Sequence, residues 1–459
     1  MKIRTTPLLA AVLLALPLAA SAADDADLRA LRDEVTRLRE SYEKRIDALE
    51  QRLVRAEAKA ASAESVAAKA ETLAATPPPA APTGANAFNP SVSLILSGLY
   101  GRLSQDPSAY SITGFHLPQS SLGDVAPQRG FGLGESELGI SASVDQLFYG
   151  AMNFAIHADN TVSTEEAFIQ TTALPQGLTL KAGRYFSGIG YLNEQHAHTW
   201  DFVDQPLAYQ AFLGGQFNND GLQARWLAPT DTYLEIGAEL GRGANYPGTD
   251  RSQNGVGASA LFAHMGGDVG ISNSWRAGLS LLAASPRDRQ WDDTDTAGMA
   301  VSNRFSGRSR LWIADAVWKW APNGNGQITH FKLQGEYLRR VEDGSLTYDI
   351  SAAATAGDYS ATQSGWYVQG IYQFAPYWRL GLRTERLDPG TVDYGVNSNV
   401  LAQPDFAPSK NSLMLDYNPS EFSRIRLQFA QDKSRQAVTD NQIFLQYQMS
   451  LGAHGAHKF

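Results

Sequence analysis

Six arginines and one acidic, histidine-bearing segment carry the chemistry open to this sequence. Arg379 and Arg383, and likewise Arg424 and Arg426, are separated by even numbers of residues, so in an extended chain each pair projects from one face. Arg225 and Arg276 take the same non-apolar parity in their own alternating stretches. Along a water-filled passage, fixed positive charge of this kind attracts anions and orients dipolar solutes. The competing reading is an ordinary wet interior in which Glu137, Glu235, Glu385 and Asp416 neutralise the arginines. Between Ser187 and Asn218 the character reverses: Glu194, His196, His198, Asp201 and Asp204 occur there with no Lys or Arg. His196 and His198 share a face if extended, and imidazole beside carboxylate suits Zn²⁺ or a similar ion. Against that, 8 histidines in 459 residues is an ordinary number, and neither this pair nor His454 and His457 completes a ligand set at structural-zinc spacing.

Other chemistry is scarce. There is no G-x-S-x-G, no H-E-x-x-H and no Gly-rich phosphate loop, and no cofactor is expected. Asp293, Asp295 and Gly298 imitate the start of a calcium loop, but its twelfth position is Arg304, which rejects an EF-hand. A formal charge of −9 argues against nucleic acid as a partner, and the lack of any cysteine means no disulfide closes the fold.

The elements that must position these residues are strands. Past the first twenty or so residues no apolar run approaches the length of a spanning helix, yet alternating segments of about ten residues recur to the end. They lie near 92–103, 134–145, 148–157, 165–173, 178–186, 219–228, 232–241 and 255–265. A second set lies near 274–283, 310–320, 327–339, 364–374, 377–387, 411–417, 422–431 and 441–451, sixteen in all. Their connections alternate between short ones such as Pro175-Gln176-Gly177 and Asn418-Pro419-Ser420-Glu421 and long ones: 104–133, 187–218, 284–309, 340–363 and 388–410. That asymmetry, with Trp312, Trp318, Trp320, Trp366, Trp378 and Tyr417 in phase with the apolar face at strand ends, predicts an all-β transmembrane antiparallel barrel of about 16 strands. The apolar parity then faces lipid and the arginine parity faces the lumen. A soluble all-β protein is the alternative, with its apolar face turned inward.

Ahead of the barrel the patterns change. Residues 1–22 have a basic start, an apolar core and small residues Ala20-Ser21-Ala22, the form of a secretory signal peptide. Residues 23–75 carry heptads through Leu28, Val35, Tyr42, Leu49 and Ala56, which predict an α-helical coiled coil on the order of 75 Å long. A Pro-rich linker over 76–90 ends the helix and opens the barrel domain, 91–459.

Lys181-Ala182-Gly183-Arg184, Asp416-Tyr417-Asn418-Pro419 through Arg426, the closing hairpin and the terminal Phe459 together resemble Gram-negative outer-membrane porins. With the coiled coil, the resemblance is nearest the phosphate-selective O/P porin group and related 16-stranded porins. It implies that the third long loop, 187–218, folds inward as a constriction, that Phe459 is part of the insertion signal, and that barrels pair as a homotrimer in outer-membrane lipid with the coiled coil in the periplasm. It implies passive or weakly selective diffusion of small hydrophilic solutes or ions, anions if the arginines dominate. The third loop has none of the basic side chains a phosphate-binding constriction needs. A divalent-metal (zinc) selective channel is the alternative, and an outer-membrane barrel hydrolase is the enzyme reading; a gated receptor with a plug needs about 22 strands.

Overall fold

The period-two alternation is realised as wall strands. The computed structural model describes residues 36–37, 90–117, 125–252 and 254–452. The expected signal peptide and Phe459, the linker apart from Pro90, the coiled coil apart from two positions, and His454 and His457 lie outside the described residues. The strands are β1 Ser91–Leu103, β2 Gly130–Leu133, β3 Ser136–Ser143, β4 Phe148–Ile156, β5 Val162–Thr171, β6 Leu178–Phe186, β7 Asn218–Leu227, β8 Tyr233–Gly241 and β9 Ala258–Val269. They continue as β10 Asn273–Ala284, β11 Arg289–Thr294, β12 Ala300–Trp320, β13 His330–Tyr348, β14 Thr355–Ala375, β15 Trp378–Asp393, β16 Ser409–Ser420, β17 Ser423–Lys433 and β18 Asp440–Gly452.

Strands adjacent in sequence are hydrogen-bonded antiparallel neighbours, and β18 closes on β1 from Ser93 opposite Gly452 to Leu103 opposite Gln442. Closure leaves no edge with unpaired amides, the condition for crossing hydrocarbon with strands. Two of the 18 segments are continuations. β2 and β3 both pair with β1, one along Gly98–Gly101 and the other along Ser91–Ile95, and β11 extends the edge of β12 above β10. The wall is therefore the sixteen-stranded antiparallel barrel that the alternation predicts. No helix among the described residues is long and apolar enough to cross a membrane.

The outer face is apolar and exposed. Leu222, Leu240, Leu261, Leu279, Leu382, Leu413, Phe429 and Leu445 point away from the lumen, with Trp312, Trp318 and Trp378 among them. So much exposed hydrocarbon around a closed wall belongs in lipid and excludes the soluble alternative. The short turns gather at one end. Gly177, at φ +75°, makes one of them; a Cβ there would stand 2.2 Å from the Leu227 carbonyl oxygen.

Two expectations need correction. The segments 284–309, 340–363 and 388–410 were expected as loops, but β11 to β15 run far into them. Their inner face is apolar there, with Trp291, Val301, Phe305, Leu346 and Val392 packed together, while Arg308, Arg310 and Asp343 face outward. Charge on the outer face reads as loop, although the strands simply continue beyond the apolar band. The second correction concerns parity. Leu282, Leu311, Ile313, Leu338 and Leu387 are buried on the inner face, so the lumen parity is not polar along its whole length.

Candidate functional site

The segment between β6 and β7 is inside the barrel. At its neck the Asn193 amide donates to the carbonyls of Ser187 and Phe217, 2.8 Å each, and its Oδ1 accepts from Phe217 N, so one side chain ties departure to return. Wall carboxylates then hold the backbone. Glu239 accepts from Ser187 Oγ at 2.6 Å and Gly188 N at 2.9 Å. Glu336 accepts from Tyr191 N, Leu192 N, Tyr209 Oη and, from the neighbouring strand, Tyr367 Oη. Glu385 accepts from Leu207 N, the first residue of the short helix α1, Leu207–Leu213. Every residue of α1 is buried, and Gly214 ends the helix in the left-handed conformation. Its apolar residues, with Tyr110, Ile112 and Phe115 of the 104–129 connection, pack on the inner-face leucines named above. That packing explains the second correction: apolar inner wall faces apolar loop.

Below α1 the segment meets a basic side of the wall. Asp201 pairs with Lys332 and with Arg379 at 3.2 Å. Asp204 pairs with Arg383 at 2.7 Å and with Lys410. Arg426 holds wall residue Asp416 at 2.8 Å and donates to the Trp200 carbonyl at 2.9 Å, and Arg424 donates to the same carbonyl at 3.0 Å. Burial alone would raise the Asp201 and Asp204 carboxyls, but Lys332 and Arg379 beside the first, and Lys410 and Arg383 beside the second, hold both below the usual carboxylate range. The four late arginines do rise along one side of the lumen. Arg383 and Arg426 are buried beneath the segment, whereas Arg379 and Arg424 border open space. Arg225 pairs with Glu194 and reaches Glu235 at 3.5 Å; Arg276 lies over the Tyr191 ring.

On β3 to β5 the wall is acidic. In a regular strand consecutive side chains point to opposite faces, but β5 has one extra residue, Glu165, between the pairs Asn153–Glu166 and Phe154–Thr164. The bulge brings both Glu165 and Glu166 to the inner face. His196 Nδ1 lies 3.1 Å from Glu137 Oε2 and 3.3 Å from Glu165 Oε2, and its Nε2 lies 3.0 Å from Glu166 Oε2. His198 Nδ1 is 2.8 Å from Glu137 Oε1, and the two imidazoles stack at 5.7 Å. The structure brings His196 and His198 together across the 3-10 turn Ala197–Thr199, not along an extended stretch. It gives them carboxylates of the wall, while Glu194, Asp201 and Asp204 of their own segment turn to bases elsewhere.

Between the two sides, toward the short turns, lies a cavity of about 810 Å³. Glu137, Glu166, His196 and His198 border it on one side, and Lys319, Lys332, Arg379 and Arg424 on the other. Lys319, Lys332, Lys410, Glu165, Glu166 and Glu336 did not enter the sequence-based site. Parity alone could have added the lysines and Glu336, which alternate with outward-facing Trp318, Leu333 and Tyr337. No parity rule could have added both Glu165 and Glu166.

Fold and lumen define a class: a closed sixteen-stranded antiparallel barrel with one connection folded into its interior. No protein-family model matches the chain. An uncharacterized protein of Aquifex aeolicus (strain VF5) is 31% identical over 410 residues, covering 83% of this chain and 82% of that one, and the chain belongs to the same family as that protein. Solved structures similar to it include the anion-selective porin from Comamonas acidovorans, at 11% identity over 79% of this chain and 99% of that one with a TM-score of 0.48. The trimer form of OmpT of Vibrio cholerae gives the same four values. The outer-membrane channel DcaP of Acinetobacter baumannii, at 11% identity over 79% and 97%, has a TM-score of 0.47.

Proposed function

We propose that this chain is an outer-membrane channel of the porin type, through which small hydrophilic solutes or ions diffuse past the inward-folded segment 187–217. One observation carries the reading: that segment runs inside a closed, lipid-compatible barrel and is tied to its wall by charged side chains. A channel of this kind needs a fixed constriction, since a mobile one would pass everything or nothing. Carboxylates on one side of the cavity and lysines and arginines on the other set a transverse field that aligns a dipolar solute. The cations border the cavity on long side chains, which favours anions weakly. The short turns face the periplasm in this reading, where the N-terminal coiled coil holds three barrels in register as a homotrimer.

Reconstitution of the full chain into planar bilayers tests it. Discrete conductance steps are expected, and they should grow when residues 194–214 are replaced by a short Gly-Ser bridge. A folded, inserted barrel that passes no current with or without the segment sinks the reading.

A further inference from the structure

On the acidic side of the lumen carboxyl groups outnumber bases. Glu135, Glu137, Glu165 and Glu166 converge there, against His196, His198 and Lys181. A single imidazole nitrogen, His196 Nδ1, faces two carboxylate oxygens at 3.1 and 3.3 Å. One N–H hydrogen-bonds well to one of them and leaves the other poorly matched. Those three atoms, from Glu137, Glu165 and His196, lie within 4.8 Å of one another, as the ligands of one ion do. Beside them the Glu135 carboxyl contacts Glu165 and leaves its Oε1 buried without a hydrogen-bond partner. An unpartnered buried carboxylate oxygen is costly, and a cation relieves the cost.

We propose that Glu137, Glu165 and His196 bind one divalent transition-metal ion at the wall of the lumen. Two carboxylate oxygens and one imidazole nitrogen suit Zn²⁺ or Mn²⁺ better than the all-oxygen sets of Ca²⁺ and Mg²⁺. With Nδ1 on the metal, Nε2–H is left to donate to Glu166, 3.0 Å away, and a carboxylate in that place fixes the ring of a metal-bound histidine. The β5 bulge then has a purpose: one strand supplies a ligand and its supporting carboxylate from consecutive residues. The remaining coordination positions open toward the cavity, where water or a passing solute can fill them. The proposal deepens the second function expected from the sequence, yet it requires only the lumen geometry and not conduction.

The test uses the full-length protein in detergent, stripped with EDTA, loaded with Zn²⁺, dialysed and assayed for metal by mass spectrometry. About one Zn²⁺ per chain is expected, with Mn²⁺ competing. Glu137→Gln/His196→Ala should abolish retention, and Glu166→Gln, which keeps all three ligands, should weaken affinity by about 10- to 100-fold. Glu194→Gln, on the same segment but paired with Arg225, should retain metal like the parent. Heat-modifiable migration on gels reports that each variant is folded. No stoichiometric metal in the parent, or equal retention in the folded double variant, overturns the proposal. Bilayer recordings on the EDTA-stripped protein keep the two readings apart: current without metal binding removes the site alone, and metal binding without current removes the channel alone.

Discussion

The two sides of the lumen hold charge in opposite ways. On the basic side the wall supplies permanent cations, Lys332, Arg379, Arg383 and Lys410, and the segment 187–217 brings the carboxylates Asp201 and Asp204 to them. On the acidic side the wall supplies Glu137, Glu165 and Glu166, and the same segment brings imidazoles, His196 and His198. A few residues of one connection thus match both walls and brace the barrel across its interior. The difference lies in permanence. Guanidinium and ammonium pairs hold over the whole range in which carboxylates are ionised, whereas imidazole can give up its proton or exchange it for a metal ion. One side is a lock, and the other is an adjustable site.

The strongest way to break this comparison is to remove the lock. Arg426 and Asp416 are both buried, and Arg426 also holds the Trp200 carbonyl. Arg426→Ala leaves the Asp416 carboxylate with Arg379 alone and should cost about 3–5 kcal/mol, read as a lower urea midpoint of the detergent-solubilised barrel. Conductance should rise as the segment loosens. An unchanged midpoint would mean that the basic side grips nothing of consequence.

Next in size is selectivity. Lys319→Gln/Lys332→Gln/Arg379→Gln/Arg424→Gln should move the permeability ratio toward cations, and Glu135→Gln/Glu137→Gln/Glu165→Gln/Glu166→Gln should move it toward anions. A wall charge near a passing ion in water contributes about 1 kcal/mol, roughly fivefold in the ratio. Reversal potentials in a salt gradient measure both. Shifts of the same sign would show that the two sides do not act as opposed walls.

Much of this arrangement was legible before the fold. Alternation located every wall strand and placed Arg379, Arg383, Arg424 and Arg426 on the inner face, because side-chain direction in a strand follows parity. The length and charge of 187–218 set that segment apart, but its course into the lumen was implied only by the resemblance to porins. What parity cannot reveal is distance across the barrel: that Asp204 meets Lys410 depends on the path of the segment, not on local pattern. The Glu165 bulge was hidden for the same reason, since an extra residue shows only against a partner strand. The apolar inner wall near α1 misled because its leucines resemble those facing lipid, and only the loop packed against them tells the two apart.

The smallest expected effect is a constancy. Asp201 and Asp204 have carboxyls that burial alone would raise, but the cations around them hold both below the usual carboxylate range. A group depressed in the folded state contributes stability that is present above its unfolded pKa and is lost only as pH falls through the lower folded value. Acidification from neutral to about pH 4 therefore leaves these pairs intact, because both carboxyls stay ionised against Lys332, Arg379, Arg383 and Lys410. Asp201→Asn/Asp204→Asn removes the anions at every pH, so its conductance should exceed that of the parent at neutral pH and at about pH 4 alike. A parent whose conductance climbs to the level of this variant by pH 4 would show that the lock opens with ordinary carboxylates. The basic side would then be as adjustable as the acidic one, and the contrast between the walls would be lost.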